Sequence, residues 1–470
     1  MKDVADSLRD PLVQGVLTAV GAAGVLAAVV LFPVRWLWRR WRRQKDPAAV
    51  TKSEIQEVVR GELQSLREEL KQDIKEVFNH YYGIADKAAE QLVATSDEER
   101  LALLVEATKA QREHRYAEAI DLLKPCLRPG LPPEERAALH NLIGNSYMYM
   151  GRPLEAEPHY REALAAAEEL DDDQMRATVL GNVGLVYADR GELDKAEEHY
   201  KRALAIDEEI GNRPGQAAAL GNLGVVYRHR GEMDKAEEHH RRALAIDGEI
   251  GSRLAQAQDL GNLGLVYADR GELNKAEEHF KKALEINQQI GNRLGHASQL
   301  GNLGNVYLLR GELDKAEEHF KKALTIDEEI GNRLGQARTL GNLGLVYADR
   351  GELDKAEEHN KKSLTIHQEI GSRLGQANQL GNLGNVYADR GELDEAEEYH
   401  KKALTIDEEI GNRLGQAQDL GNLGLLAAER SRVDEARGLL SQAKALYEAI
   451  GAGGQGPELA REALERLGSE

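Results

Sequence analysis

The sequence predicts an all-α solenoid of tandem helical hairpins, on three observations. The tetrad Gly-Asn-(Leu or Val)-Gly recurs at Gly181, Gly221, Gly261, Gly301, Gly341, Gly381 and Gly421, a fixed period of 40 residues. Within each period, apolar residues fall at helical spacing in two runs separated by turn glycines. Aromatics make up only 5% of the chain and charged residues 30%, a composition expected of helices packed through small contacts. One such unit cannot close a core around itself, so units bury their apolar faces against neighbours and leave a long groove. A surface of that kind suits partner binding better than catalysis.

A repeat array grows by addition, so the length of 470 residues says little about domain count. The single cysteine, Cys126, rules out an internal disulfide framework and fits a reducing compartment. The net charge of −20 hides an asymmetry, because residues 35 to 45 carry six basic and no acidic side chains, leaving −26 for the rest. Binding of nucleic acid by the repeats is therefore not expected.

After an N-terminal tail over 1–10, the chain from Pro11 to Val34 holds 24 residues without a charge, enough to span a bilayer as a helix. An interfacial flank over 35–50 follows, in which Arg35, Arg39, Arg40, Arg42 and Arg43 interleave with Trp36, Trp38 and Trp41. Lys2 and Arg9 precede the span beside Asp3, Asp6 and Asp10, so the positive-inside bias places the C-terminal bulk in the cytoplasm of a single-pass protein. A cleaved signal peptide is the competing reading. Against it stand the length of the apolar run, the acidic residues before it and the arginines after it. Gly15, Ala19, Ala23 and Ala27 recur every fourth position and could pack two spans into a homo-oligomer.

Pro47 breaks the chain, and Ser53 with Gln56 suits a capping box for a helix over 51–95. Apolar residues at Ile55, Val59, Leu63, Leu66, Leu70, Ile74 and Val77 follow an 11-residue repeat. Two readings fit it, an oligomerising stalk or short coiled coil and an amphipathic helix lying against the first repeat.

Within a repeat, Leu220, Leu223, Gly224 and Tyr227 mark the buried stripe of a first helix, and Gly231 ends it. Asp234, with Glu237 three residues on, reads as a capping box for a second helix, whose inward face continues at Ala236, His240, Ala243 and Leu244. Gly251 closes that helix and Ser252 caps the next.

These residues resemble the tetratricopeptide repeat. Leu263, Gly264, Tyr267, Gly271, Ala276, Phe280 and Ala283 match its pattern of Leu, Gly, Tyr, turn Gly, Ala, aromatic and Ala. Gly144, Tyr147, Gly151, Ala156, Tyr160 and Ala163 form an earlier copy, and Ala107, Ala119, Leu123 and Cys126 a degenerate one. The reading gives nine repeats over 99–450, the last with Ala427 for its tyrosine and Ser431 for its turn glycine, and a capping helix over 457–467. The length and tetrad look most like the spindle-orientation adaptors with Leu-Gly-Asn repeats, and more loosely like kinesin light chains. The resemblance implies a right-handed α-solenoid that binds extended peptides in its groove, and it covers the repeats alone.

In this family the side lining the groove would carry Asn182, Asn222, Asn262, Asn302, Asn342, Asn382 and Asn422. Physically these are costly, since Asn is a poor helix former and each adjacent Gly costs up to about 1 kcal/mol relative to Ala. A carboxamide both donates and accepts, so a ladder of them can grip a peptide backbone; the bland reading is that they bond neighbouring repeats. Asn305 and Asn385 vary the groove, as do Arg228, His229, Leu308 and Leu309. Asp189, Asp269, Asp349 and Asp389 favour a ligand with positive charge, unless the arginines that follow neutralise them. No lysine stands where chaperone-binding relatives clamp a C-terminal carboxylate, so recognition of chaperone tails is disfavoured.

No enzyme is expected. His199, His239, His279, His319 and His359 recur once per repeat, but helices pack about 8–10 Å apart, so successive imidazoles are read as surface residues and not as metal ligands. The string Gly451-Ala452-Gly453-Gly454-Gln455-Gly456 has no strand before it and reads as a linker, and no phosphate loop, Cys-x-x-Cys or nucleophile elbow occurs. With no cofactor or metal expected, the leading function is a membrane-anchored cytoplasmic adaptor or scaffold that captures an extended segment of a partner protein. The alternative is a self-assembling structural protein that organises a membrane patch.

Overall fold

A computed structural model describes residues 98–113, 115–450 and 455–468. They divide into two compact units, ending at Ile246 and beginning at Asp247. The first unit holds α1 (Glu98–Arg112), α2 (Tyr116–Leu123), α3 (Pro133–Tyr149), α4 (Pro153–Glu169), α5 (Asp173–Asp189), α6 (Leu193–Glu209), α7 (Arg213–His229) and most of α8 (Met233–Glu249). The second holds α9 (Arg253–Asp269), α10 (Leu273–Gln289), α11 (Arg293–Leu309), α12 (Leu313–Glu329), α13 (Arg333–Asp349), α14 (Leu353–Glu369), α15 (Arg373–Asp389), α16 (Leu393–Ile410), α17 (Arg413–Glu429), α18 (Val433–Ala449) and α19 (Gln455–Gly468). Helices pair as hairpins, and within each unit the second helix of one hairpin packs on the first helix of the next, which makes an all-α helical repeat.

The turns follow from their residues. Gly231 adopts φ +75°, and the N–H of Glu232 reaches back to the Tyr227 carbonyl at 2.9 Å while that of Gly231 reaches Arg228, closing α7 in a Schellman motif. Ser431 takes the same left-handed conformation without being glycine. At the start of the next hairpin the Asn292 and Asn332 side chains accept from the N–H of Gly295 and Gly335, as N-caps do.

The second glycine of each tetrad is a socket. A Cβ on Gly184, Gly264 or Gly304 would stand 2.5–2.6 Å from the rings of Tyr200, Phe280 and Phe320, each at most 1% exposed. Burying such a ring contributes about 1.5–3 kcal/mol, which requires the socket to stay empty of side chain. His240, Asn360, His400 and Leu440 fill the equivalent sockets at Gly224, Gly344, Gly384 and Gly424.

The expected capping box is not used as one. Helix α8 begins at Met233, one residue before Asp234, and in equivalent helices the N-cap is Glu192, Glu312 or Glu352, whose side chain caps nothing. The equivalent carboxylates Asp194 and Glu197 reach forward to the next hairpin. There the Tyr227 hydroxyl donates to Glu197 at 2.7 Å, and Arg230 bridges Glu197 and Asp194. Such a contact links residues about 30 apart, beyond the reach of a local motif.

The tail 1–10, the span 11–34, the flank 35–50 with Trp36, Trp38, Trp41, Arg35, Arg39, Arg40, Arg42 and Arg43, and the stalk 51–95 lie outside the described residues. No helix among those described is long and apolar enough to cross a membrane. Helix α19 packs Ala460 and Leu467 against Ala427, Ala436 and Leu440 of the last hairpin.

Candidate functional site

In the second unit the first helices of successive hairpins, α11, α13, α15 and α17, lie side by side. Positions such as Leu334, Arg338, Asn342 and Leu345 fall on one face of a helix by their spacing, and together such faces line a cavity of about 760 Å³. Its floor carries Asn342, Asn382 and Asn422, with Asn305, Asn385 and Gln418 beside them.

All seven repeated asparagines are half-buried, while Asn305 and Asn385 are exposed. Some of the ladder bonds neighbouring repeats. Asn182 donates to Asn141 at 2.8 Å, Asn342 to Asn305 at 3.1 Å and Asn422 to Asn385 at 3.4 Å, whereas Asn302 donates to Gln299 of its own helix. Among the described residues, the side chains of Asn222, Asn262 and Asn382 make no hydrogen bond. Where Leu345 replaces the Asn305 position, the following ladder residue, Asn382, is left with both its donor and its acceptor open.

The first glycines of the tetrads divide along a different line. A Cβ on Gly261 or Gly341 would meet the amide of Gln299 or Gln379, but one on Gly181, Gly301 or Gly421 would meet nothing within 4 Å. Packing does not require glycine at the latter three.

Asp189, Asp269, Asp349 and Asp389 are exposed at the C-terminal ends of these first helices. The arginines that follow do not all neutralise them: Arg350 and Arg390 turn back to Asp314 and Asp354 of the preceding hairpin, at 2.5 and 2.6 Å.

Beneath the groove lies a buried polar cluster that the residue pattern had not singled out. His400 Nδ1 stands 3.2 Å from Asp419 Oδ1, both at most 5% exposed. Burial pushes the Asp419 carboxyl up against the pull of His400, and burial likewise raises Asp407 beside it. The signal available in sequence was a polar residue in the socket position followed 19 residues later by a carboxylate.

The once-per-repeat histidines are not loose surface residues. Each is half-buried against a tyrosine of its own hairpin, with ring centroids 4.8–5.1 Å apart from Tyr187–His199 to Tyr347–His359. Among the described residues no group of three or more His, Cys, Asp or Glu is placed to hold a metal ion. The cavity lining offers carboxamides and leucines, groups that hold a chain by hydrogen bonds and contact.

A sequence model described as tetratricopeptide repeat matches residues 135–209, 215–289, 296–369 and 376–449, and a second of the same description matches 262–329. Among curated proteins no relative matches. Of solved structures, the apo form of the quorum sensor NprR from B. thuringiensis aligns with a TM-score of 0.54 at 15% identity, over 73% of this chain and 99% of that one. A Rap protein complexed with competence and sporulation factor aligns with a TM-score of 0.51 at 18% identity, over 79% and 98%. Aspartyl phosphate phosphatase F from Bacillus subtilis aligns with a TM-score of 0.50 at 15% identity, over 77% and 97%. At these identities the likeness is one of fold.

Proposed function

We propose that this chain, which belongs to the tetratricopeptide repeat family, is a membrane-anchored adaptor that captures an extended segment of a partner protein in the groove of its second unit. The observation that carries the reading is the open amide of Asn382 on a floor that also holds Gly421, whose missing side chain serves no packing purpose. Replacing that glycine by alanine in a helix would stabilise it by up to about 1 kcal/mol, so its retention fits room kept for a ligand. The fold likeness to a Rap protein bound to competence and sporulation factor gives a precedent for a ligand on such a repeat array. Anchoring rests on the uncharged run 11–34 with its Arg and Trp flank, and the charge bias around it orients the repeats to the cytoplasm. The adaptor carries out no chemistry of its own; tethering is the mechanism.

A photoreactive residue at position 382 tests the groove in cells. Capture of peptide segments from one protein, lost on Asn342→Ala with Asn422→Ala in a folded chain, supports the reading. Crosslinks only to a second copy of this chain favour self-assembly instead. Anchoring is tested separately, since the full chain should resist alkaline extraction from membranes and a chain lacking 11–34 should not.

A further inference from the structure

We infer that the groove of the last three hairpins selects a peptide with basic side chains along one edge and apolar side chains along the other. This rests on the groove reading above and names its ligand chemistry.

The first helices α13, α15 and α17 end in Asp349, Asp389 and Glu429, three exposed carboxylates in successive hairpins. None of the three makes an ion pair or side-chain hydrogen bond among the described residues. The arginine after each is directed away, Arg350 to Asp314, Arg390 to Asp354 and Arg430 to Asp394, at 2.5–2.6 Å. Each carboxylate follows by one turn a cavity-lining residue, Leu345, Asn385 or Leu425, so the three continue that face past the cavity as a rim of negative charge. Leu309, 67% exposed, holds the equivalent position one hairpin earlier and marks where that row begins.

The opposite rim carries exposed leucines. At the N-terminal ends of the same helices Leu334, Leu374 and Leu414 are 44%, 51% and 45% exposed. Arg338, the one lysine or arginine lining the cavity among the described residues, stands a turn from Leu334, on the leucine side. Between the rims run the floor asparagines. From Leu334 to Asp349 the helix advances about 22 Å at ~1.5 Å per residue, so the two rims are distinct walls and not one mixed patch.

An extended chain sends successive side chains to opposite sides. Laid across the helices, its two sets of side chains face the two walls, and its backbone N–H and C=O groups face the floor, where Asn382 has a free donor and acceptor. A segment alternating lysine or arginine with leucine or valine turns each kind of side chain toward the wall that suits it. An acidic segment meets like charge on one side.

The test is binding of a labelled peptide of about ten residues, alternating lysine and leucine, to the full chain, read by fluorescence anisotropy. The wild type should bind it one to one, and the triple variant Asp349→Asn, Asp389→Asn, Glu429→Gln should bind it about tenfold more weakly with a shallower salt dependence. Neutralising Glu328 and Glu408, exposed on second helices, should leave affinity unchanged and so separates rim recognition from general attraction to an acidic protein. A peptide alternating glutamate and leucine that binds equally well, or a triple variant with undiminished affinity, overturns the inference while leaving a peptide groove in place. If peptides of neither charge bind and position 382 crosslinks nothing, the groove reading falls with it.

Discussion

The Tyr387 hydroxyl donates to the Glu357 carboxylate at 2.7 Å, joining the first helix of one hairpin to the second helix of the hairpin before it. Arg390 and Lys361 hold the same carboxylate. The arrangement recurs at Tyr307–Glu277 and Tyr347–Glu317, both at 2.8 Å, so three successive steps within the second unit are each fastened by one carboxylate accepting from phenol, guanidinium and ammonium. In the last hairpin, where Ala427 replaces the tyrosine, Glu397 takes Arg432 at 2.6 Å and Arg430 at 3.3 Å instead.

These clamps predict an acid-labile stack. Burial pushes the Glu277, Glu317 and Glu357 carboxyls up, but hydrogen bonds from lysine, arginine and tyrosine outweigh it and hold each at about 2, below the ordinary 4.5. A carboxylate lowered on folding stabilises the fold above its unfolded pKa and ceases to do so as pH falls toward the folded one. The clamps' contribution to thermal stability should therefore be complete above pH 4.5 and be lost between 4.5 and about 2. Glu357→Gln should lower stability at pH 7 by about 1–2 kcal/mol and flatten part of that decline. Circular dichroism melts across the range measure both.

A second pair acts in the opposite sense. Burial pushes Asp247 and Asp259, which share a hydrogen bond, up to about 7 from an ordinary 3.8. A carboxyl raised on folding gives stability that is complete below 3.8 and lost as pH climbs through 7. Asp259→Asn removes one of the two charges that would have to be buried. The variant should melt near the wild type at pH 4 and above it at pH 8, and a variant that melts lower at pH 8 would show that the ionised pair is stabilising.

The hairpin architecture was legible because the 40-residue period, the socket glycines and the turn glycines each leave a local mark. Contacts between hairpins leave none. Asp194 and Glu197 have the spacing of a capping box, and nothing within a dozen residues reveals that their partner is Arg230. Likewise, Asn342 is tied and Asn382 open according to the residue 37 positions earlier, Asn305 for the first and Leu345 for the second. The histidines looked like surface residues for the same reason, since the tyrosines that cover them sit on the other helix of the hairpin.

The two glycines of one tetrad should respond oppositely to alanine. At Gly304 a Cβ would stand 2.6 Å from the Phe320 ring, which is fully buried and cannot step aside. Gly304→Ala should cost about 1–3 kcal/mol through displacement of the ring. At Gly301 a Cβ meets nothing within 4 Å, so Gly301→Ala should leave stability unchanged or raise it by up to about 1 kcal/mol. If the groove is a ligand site, Gly421→Ala, whose Cβ also meets nothing within 4 Å but stands in the cavity lining, should bind the partner more weakly despite its stability. Denaturation and binding measured on one preparation decide the point, and a destabilised Gly301→Ala would return that glycine to a packing role.

Asn360 is a socket residue whose replacement should improve the fold. It is 1% exposed, and its Oδ1 has no hydrogen-bond partner among the described residues. In two hairpins of the same unit the socket holds Phe280 and Phe320. The next hairpin poses no obstacle, because Gln379 follows Asn360 by the same 19 residues that separate Gln299 from Phe280. Asn360→Phe exchanges an unpaired buried carbonyl for a buried ring and should raise stability by about 1–3 kcal/mol, read as a higher melting temperature. The converse change, Phe320→Asn, removes the ring from a socket shaped around it and should cost about 3 kcal/mol or more. A loss of stability in Asn360→Phe would mean that the surroundings of Gly344 have adapted to the amide, and that the sockets are not interchangeable between hairpins.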